Sequence, residues 1–333
     1  MRYIICYLCS LKKTIMEELS FPWGGERRFN SYSRFCNERF GGRVQRIPVD
    51  AGFSCPNRES RAEGGCTYCS NQAFSPAYVA KSTGIVGQLR DGRLFFSKHY
   101  NSNKGYFAYF QSYTNTFTTA SKLSGLCDAA LREAGIRGII ISTRPDCLPD
   151  SILDFLSELN GKTYLCVEIG IESFSDKTLG HINRGHTVEC AFEAFRKLHE
   201  RKIPTCAHII FGLPFETPGS WIEEAKLLNA LNPEFLKIHH LQIIRGTQIE
   251  SEYLNNPGRF HVFDSDGYVN FICDYIERLS PNIVIERFCS EVPPRFLSVS
   301  HWQLLRHHEL VGKIEDELEQ RNSFQGIRLK NSN

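Results

Sequence analysis

Cys55, Cys66 and Cys69 stand in one short loop with the spacing Cys-x10-Cys-x2-Cys. Thiolates this close together bind a metal or exchange disulfides. Gly64 and Gly65 immediately precede the Cys66-Thr-Tyr-Cys69 turn. Without a Cβ they let the backbone curl so that three sulfurs can converge. No fourth ligand lies nearby, so a cubane iron–sulfur cluster held here would keep one iron without a protein donor, open to a small molecule. Two other chemistries compete. A structural zinc site wants four ligands, and the nearest candidates, Cys36 and His99, are not at finger-like spacing. A thioredoxin-like Cys-x-x-Cys has no use for Cys55 and belongs at a helix start.

Further polar residues fall where apolar runs end. Gln111, Ser112, Tyr113, Thr114 and Asn115 follow the run Gly105–Phe110, and Glu168 and Glu172 punctuate Val167–Ile171. Two carboxylates on a buried strand need partners. Arg184, in Asn-Arg-Gly-His, presents a guanidinium suited to bidentate pairing with a carboxylate. Plain alternatives stand beside these: Glu172 as a strand-end charge, Arg184 in a surface salt bridge, and His208, His239 and His240 as satisfied core residues. Cys289 reads as an exposed thiol in the C-terminal part.

The elements that must position these groups follow from periodicity. Strands are predicted over 44–49, 105–110, 138–142, 163–171, 205–211 and 235–243, with helical patterns over 123–134, 152–159, 188–201 and 221–231 between them. Strands alternating with helices argue for βα units on a mostly parallel sheet. Farther on, 266–279 reads as a helix, 282–286 as a short strand and 302–321 as a charged terminal helix. The expected division is an N-terminal extension over 1–21, a core over 22–245 and a C-terminal α/β extension over 246–333. Met16 is a plausible alternative start, making 1–15 an extension outside the fold.

With 333 residues, 41% hydrophobic and 23% charged, the chain can bury a full core without disulfides or a metal. A bound metal is then catalytic rather than a folding staple. A formal net charge of +2 gives no global field toward nucleic acid or membrane. Thirteen cysteines without a regular framework fit a reducing cytoplasm, and the apolar run near the N-terminus is too short to span a bilayer.

The cysteine pattern, with Tyr68 before the last cysteine, resembles the radical S-adenosylmethionine superfamily. Its long first gap is similar to the YhcC-like subfamily, related to the radical SAM domain of the elongator catalytic subunit. The likeness also covers Arg28-Phe-Asn-Ser-Tyr, Asp50-Ala-Gly-Phe, Phe110-Gln-Ser-Tyr-Thr-Asn-Thr, Glu168-Ile-Gly-Ile-Glu-Ser, Asn183-Arg-Gly-His and Gly212-Leu-Pro-Phe-Glu-Thr. It implies a partial (β/α)6 TIM-like barrel with N- and C-terminal extensions, its polar residues gathered at one mouth. It implies that Cys55, Cys66 and Cys69 hold a [4Fe–4S] cluster. S-adenosyl-L-methionine would bind the open iron and be cleaved reductively to a 5′-deoxyadenosyl radical. Gln111, Tyr113 and Asn115 would line the cosubstrate pocket, Glu168 would take the ribose hydroxyls, and Arg184 the cosubstrate carboxylate. An external electron donor of flavodoxin or ferredoxin type is implied as well.

Residues 24–46 hold six arginines interleaved with Phe29, Tyr32, Phe35 and Phe40. Such a mixture suits a phosphate-bearing, base-stacking ligand, or else an amphipathic helix packed on the barrel. Together with the resemblance it points to tRNA as substrate, at the wobble-uridine side chain. The competing readings are a small-molecule radical oxidoreductase, as for a porphyrinogen, and an RNA-binding module with a structural metal.

Overall fold

The computed structural model describes residues 21–82, 84–98, 104–299, 302 and 305–329. The expected N-terminal extension, apart from Phe21, lies outside the described residues, as does His99. Seven strands run in parallel and in chain order: β1 (Gln45–Val49), β2 (Tyr106–Phe110), β3 (Ile136–Thr143), β4 (Tyr164–Glu172), β5 (Thr205–Phe211), β6 (Phe235–His240) and β7 (Val284–Arg287). The larger helices are α1 (Tyr32–Phe40), α2 (Gly84–Ser97), α3 (Ala120–Leu131), α4 (Asp150–Lys162), α5 (Val188–Glu200), α6 (Pro218–Leu231), α7 (Ser265–Ile276) and α8 (His307–Gln320).

The six expected strands are present and form a half barrel. The short strand expected beyond residue 246 is β7, and it extends the same sheet: Val284 pairs with Phe235, and its N–H donates to Glu234 O at 2.9 Å. Helix starts follow local chemistry. Thr187 caps α5 by accepting the Cys190 N–H, and Thr217 with Ser220 forms a capping box on α6, where Pro218 occupies the first turn. α2 escaped the periodicity reading because Gly84, Gly87 and Gly92 dilute its apolar face.

Side chains alternate across the sheet. Ile47, Phe110, Ile141, Val167, Ile209 and Ile238 pack outward with the helices in one large core. Phe107, Ile140, Cys166, Cys206, Phe235 and Val284 point into the lumen at its N-terminal end. There α1 closes the bottom: Phe35 meets Phe235 at 4.8 Å and Phe40 meets Phe107 at 5.2 Å between ring centroids. Full burial of such a ring contributes about 1.5–3 kcal/mol, and the half-buried Phe35 and Phe40 contribute less. Tyr32, Phe35 and Phe40 are therefore a plug, and the base-stacking reading of 24–46 fails for them because the barrel floor already covers these rings.

Above this apolar layer lies a charged one. Lys237 Nζ donates to both Glu168 oxygens, at 2.8 and 3.0 Å, and to Tyr109 OH at 2.7 Å. Tyr109 OH and Ser142 Oγ donate to Glu168 Oε1 at 2.7 and 3.1 Å. Arg46 on β1 grips Glu286 on β7 through both Nη atoms and lies 3.6 Å from Glu168 Oε2. The sheet is open between β1 and β7, so this pair bridges its seam. Beside it Ile285 N–H donates to Asn30 O at 2.7 Å. Two cations face two anions, all nearly solvent-free. Burial opposes the charged form of Glu168, yet Lys237 and Arg46 outweigh it and hold the carboxyl below its usual range.

Replacing Arg46 by Leu leaves two buried carboxylates against one ammonium. The expected loss is about 3–5 kcal/mol in guanidinium unfolding, the cost of breaking a buried pair from one side. A loss below about 1 kcal/mol would equate the seam with an exposed ion pair.

Candidate active site

The cysteine loop begins where β1 ends and lies over the C-terminal mouth of the barrel. Its ten-residue gap is folded by its own residues. Arg58 and Gly64 form a bridge, Gly65 N–H donates to Asn57 O at 2.9 Å, and Cys69 N–H turns back to Cys66 O at 3.0 Å. Gly64 and Gly65 both have positive φ, +76° and +98°, and a Cβ on Gly65 would stand 2.7 Å from Arg58 Nε. The glycine requirement read from the sequence is thus conformational, because the atoms nearest Gly65 belong to the movable end of the Arg58 side chain. The loop is docked from outside by paired amides: Asn57 Nδ2 donates to Asn183 O at 2.7 Å, and Asn183 Nδ2 to Gly65 O at 2.8 Å. Thr67 N–H donates to Ile182 O at 3.0 Å, and Tyr68 packs with the buried group containing Leu179, Ile182 and Ile210.

Cys55, Cys66 and Cys69 are free thiols facing one cavity of about 1010 Å³. Arg184 Nη1 donates to Cys66 Sγ at 3.6 Å. Burial first, then the neighbouring Cys66, pushes the Cys69 thiol up to about 11, while Arg58 beside it opposes the rise. Among the described residues only Glu168, Cys206 and Glu286 bring three metal-capable atoms within 4.8 Å of one another. That acidic pair is already neutralised by Lys237 and Arg46. The three loop sulfurs are spread more widely than that. A single tetrahedral zinc, with bonds of about 2.3 Å, would need its sulfurs about 3.8 Å apart. The donor set therefore fits a larger iron–sulfide body better than one ion.

The other expected residues separate into two groups. Gln111 and Tyr113 line the cavity, as do Glu168, Glu172 and Arg184. Tyr113 has φ +62° and stacks under Arg61, whose guanidinium lies 4.1 Å from the ring centroid. Asn115 is not brought to the cavity. It is fully buried, and its Nδ2 donates to Phe110 O at 2.8 Å and Ser142 O at 3.0 Å, tying the β2 loop to β3. Glu168 lines the cavity from the charged layer below the mouth, with its oxygens taken by Lys237, Tyr109 and Ser142. Cys289 is 3% exposed, not a surface thiol, and burial pushes it up to about 12.

Arg184 is engaged on every side. Its Nη2 donates to Gly170 O at 2.6 Å and lies 3.2 Å from Glu172 Oε1, while Nε reaches His186 Nε2 at 3.1 Å. A bulge between Gly170 and Glu172 puts Glu172 at φ +69° and turns its carboxylate inward. There it also meets His208 Nδ1 at 2.6 Å. A Cβ on Gly170 would lie 2.4 Å from both Arg184 Nη2 and Glu172 Oε1, so only glycine admits this pair.

Arg144, at the end of β3, was not singled out by the sequence. It is 2% exposed, and its Nε and Nη2 hold Asp146 at 2.9 and 2.8 Å. Its Nη1 is buried at the cavity without a hydrogen-bond partner among the described residues. An unpaired guanidinium nitrogen at a cavity wall calls for an anion. The sequence signal was available in Ser142-Thr-Arg144-Pro-Asp146, a cation directly after a strand.

Residues 55–228 match the model of the Radical SAM superfamily, and residues 233–320 that of the Radical_SAM C-terminal domain. The chain belongs to the radical SAM superfamily. Members bind a [4Fe–4S] cluster and S-adenosylmethionine, and this radical SAM protein is accordingly an enzyme of that class. It is 34% identical over 314 residues to the uncharacterized protein YtqA of Bacillus subtilis, covering 94% of this chain and 96% of that protein. To protein YhcC of Escherichia coli it is 29% identical over 279 residues, covering 83% and 88%. Archaeal Elp3 from Methanocaldococcus infernus, lacking its N-terminal residues, shares the fold with a TM-score of 0.65 at 15% identity, over 85% of this chain and 64% of that one. No helix among the described residues is long and apolar enough to cross a membrane.

The Glu172 site predicts an acid limb. Burial opposes its charged form, but His208 and Arg184 outweigh burial and bring the carboxyl from 4.5 down to about 2. A depressed folded value stabilises the protein above the unfolded one, and the contribution is lost as pH falls from about 4.5 toward 2. In pH-dependent urea unfolding, Glu172→Gln should flatten this limb while leaving the rest of the curve parallel. An unchanged slope would remove Glu172 from the account.

Proposed function

We propose that this radical SAM enzyme modifies the side chain of a tRNA wobble uridine. What carries the reading is one cavity that joins the three sulfurs at the mouth to the cation-lined seam between β7 and β1. Along that seam Arg27, Arg43 and Arg287 stand with His307 and His308 on the cavity wall. Burial first, and then Arg287, lower His307 to about 4 against the opposing charge of Glu291, so His307 is neutral and the positive charge there comes from the arginines. A polyanionic substrate suits such a lip better than a neutral metabolite does. The YhcC-like resemblance and the Elp3-like fold support the same choice.

In this proposal Cys55, Cys66 and Cys69 hold the cluster, which with bound S-adenosylmethionine supplies one-electron cleavage to a 5′-deoxyadenosyl radical. The chain's own residues orient and shelter. Arg184 and Arg58 set positive charge against the sulfurs, and Gln111 and Tyr113 wall one side of the cosubstrate. The carboxylate partner assigned to Arg184 from sequence passes to Arg144, because every nitrogen of Arg184 is already used while Arg144 Nη1 is not. Glu168 acts from below, holding Lys237 and Tyr109 in place. An electron carrier of flavodoxin or ferredoxin type supplies the reductant.

Comparison of modified nucleosides in tRNA from a deletion strain and its parent tests the substrate: a wobble-uridine derivative should disappear or change, and an identical profile would refute tRNA. Cys66→Ala should abolish release of 5′-deoxyadenosine by the anaerobically reconstituted protein. Iron with labile sulfide is expected in the parent, and zinc without sulfide would instead indicate a structural metal. Arg144→Gln should weaken S-adenosylmethionine binding about tenfold or more, the loss of a charge-assisted hydrogen bond of about 1.5–3 kcal/mol, at unchanged iron content. Parental affinity would return the carboxylate to another residue.

A further inference from the structure

Each of the three loop sulfurs receives a neutral side-chain donor from a different residue. Thr114 Oγ1 donates to Cys55 Sγ at 3.1 Å, Asn57 Nδ2 to Cys66 Sγ at 3.4 Å, and Asn71 Nδ2 to Cys69 Sγ at 3.7 Å. None of these donors is a thiol ligand, and each is pinned by something else. Thr114 is 1% exposed and its N–H donates to Ser54 O at 3.3 Å. Asn57 Nδ2 is shared with Asn183 O at 2.7 Å, and Asn71 Oδ1 accepts the Tyr113 N–H at 3.3 Å. Their aim is therefore set by the loop and the strand-end turn rather than by free rotation.

We propose that Thr114, Asn57 and Asn71 are positioning residues that set the reduction potential of the cluster. The inference rests on the cluster placed at these cysteines above. Taking up one electron from a low-potential reductant makes the cluster more negative, and the added charge spreads onto the thiolate sulfurs. A hydrogen bond to a sulfur is then stronger in the reduced form than in the oxidised form, which raises the potential. Thr114 carries the largest share, having the shortest contact in the driest surroundings, where a hydrogen bond is electrostatically strongest. Valine at this position keeps the shape and removes the donor, whereas serine keeps the hydroxyl.

The test is a dithionite titration of the reconstituted full-length protein, with mediators, followed by the electron paramagnetic resonance signal of the reduced cluster. Thr114→Val is expected to shift the reduction equilibrium at least tenfold toward the oxidised form, about 59 mV for one electron, with Thr114→Ser close to the parent. Asn71→Leu should move it in the same direction by less. A valine variant with parental iron, sulfide and potential overturns the proposal, and so does a serine variant that shifts as far as valine. If Thr114→Val assembles no cluster, Asn71→Leu decides by the same criterion. A parent that binds no iron and sulfide at all would strike the cluster assignment itself, which is a different failure.

Discussion

An open parallel sheet with a polar lumen must balance every charge it buries, and at the floor of this one a four-membered set achieves that. Arg46, Glu168, Lys237 and Glu286 come from β1, β4, β6 and β7, and Tyr109 and Ser142 add hydroxyls from β2 and β3. The set spans the lumen and crosses the seam where a closed barrel would have a ladder of backbone hydrogen bonds. Ion pairs of this kind are weak sources of net stability, because desolvation consumes most of their attraction. Their effect is positional: no member can move without stranding a partner, so the strand ends above them are held at fixed spacing.

That rigidity is what the site above uses. The thiols sit on a loop, and loops alone place chemistry poorly; here the loop is clamped by Asn57 and Asn183, by Thr67 against Ile182, and by Arg61 over Tyr113. Local backbone strain collects in the same place, with Tyr113, Glu172 and Asn183 all at positive φ. Such conformations persist only where the surroundings over-determine them. Arg58 and Arg184 then meet the sulfurs without flexible searching, and the cavity keeps Arg144 Nη1 available for an anion. The floor is charge-balanced, whereas the mouth carries cations facing thiols.

Much of this was legible in the chain. Strand and helix periods survive because one sheet face meets helices and the other meets the lumen, so β2 to β5 read clearly and only their ends moved by a residue or two. α2 was missed because three glycines mask its face. The aromatic segment 24–46 was ambiguous for a physical reason: a plug and a stacking surface both need aromatics at helical spacing, and only the position of α1 beneath Phe107 and Phe235 distinguishes them. Asn115 and Gln111 looked alike as strand-end amides, yet one points into the turn and the other at the cavity.

The sequence by itself determined which three cysteines share one loop, the glycines that turn it, and the alternation of strands with helices, since all of these depend on neighbours close in the chain. Only the tertiary structure decided which charges belong to the floor and which to the mouth. Arg46 and Glu286 are separated by 240 positions, and no local period relates them. Whether a carboxylate is spent on an ammonium or left for a ligand depends on which strands stand opposite each other, a property of the closed set of contacts.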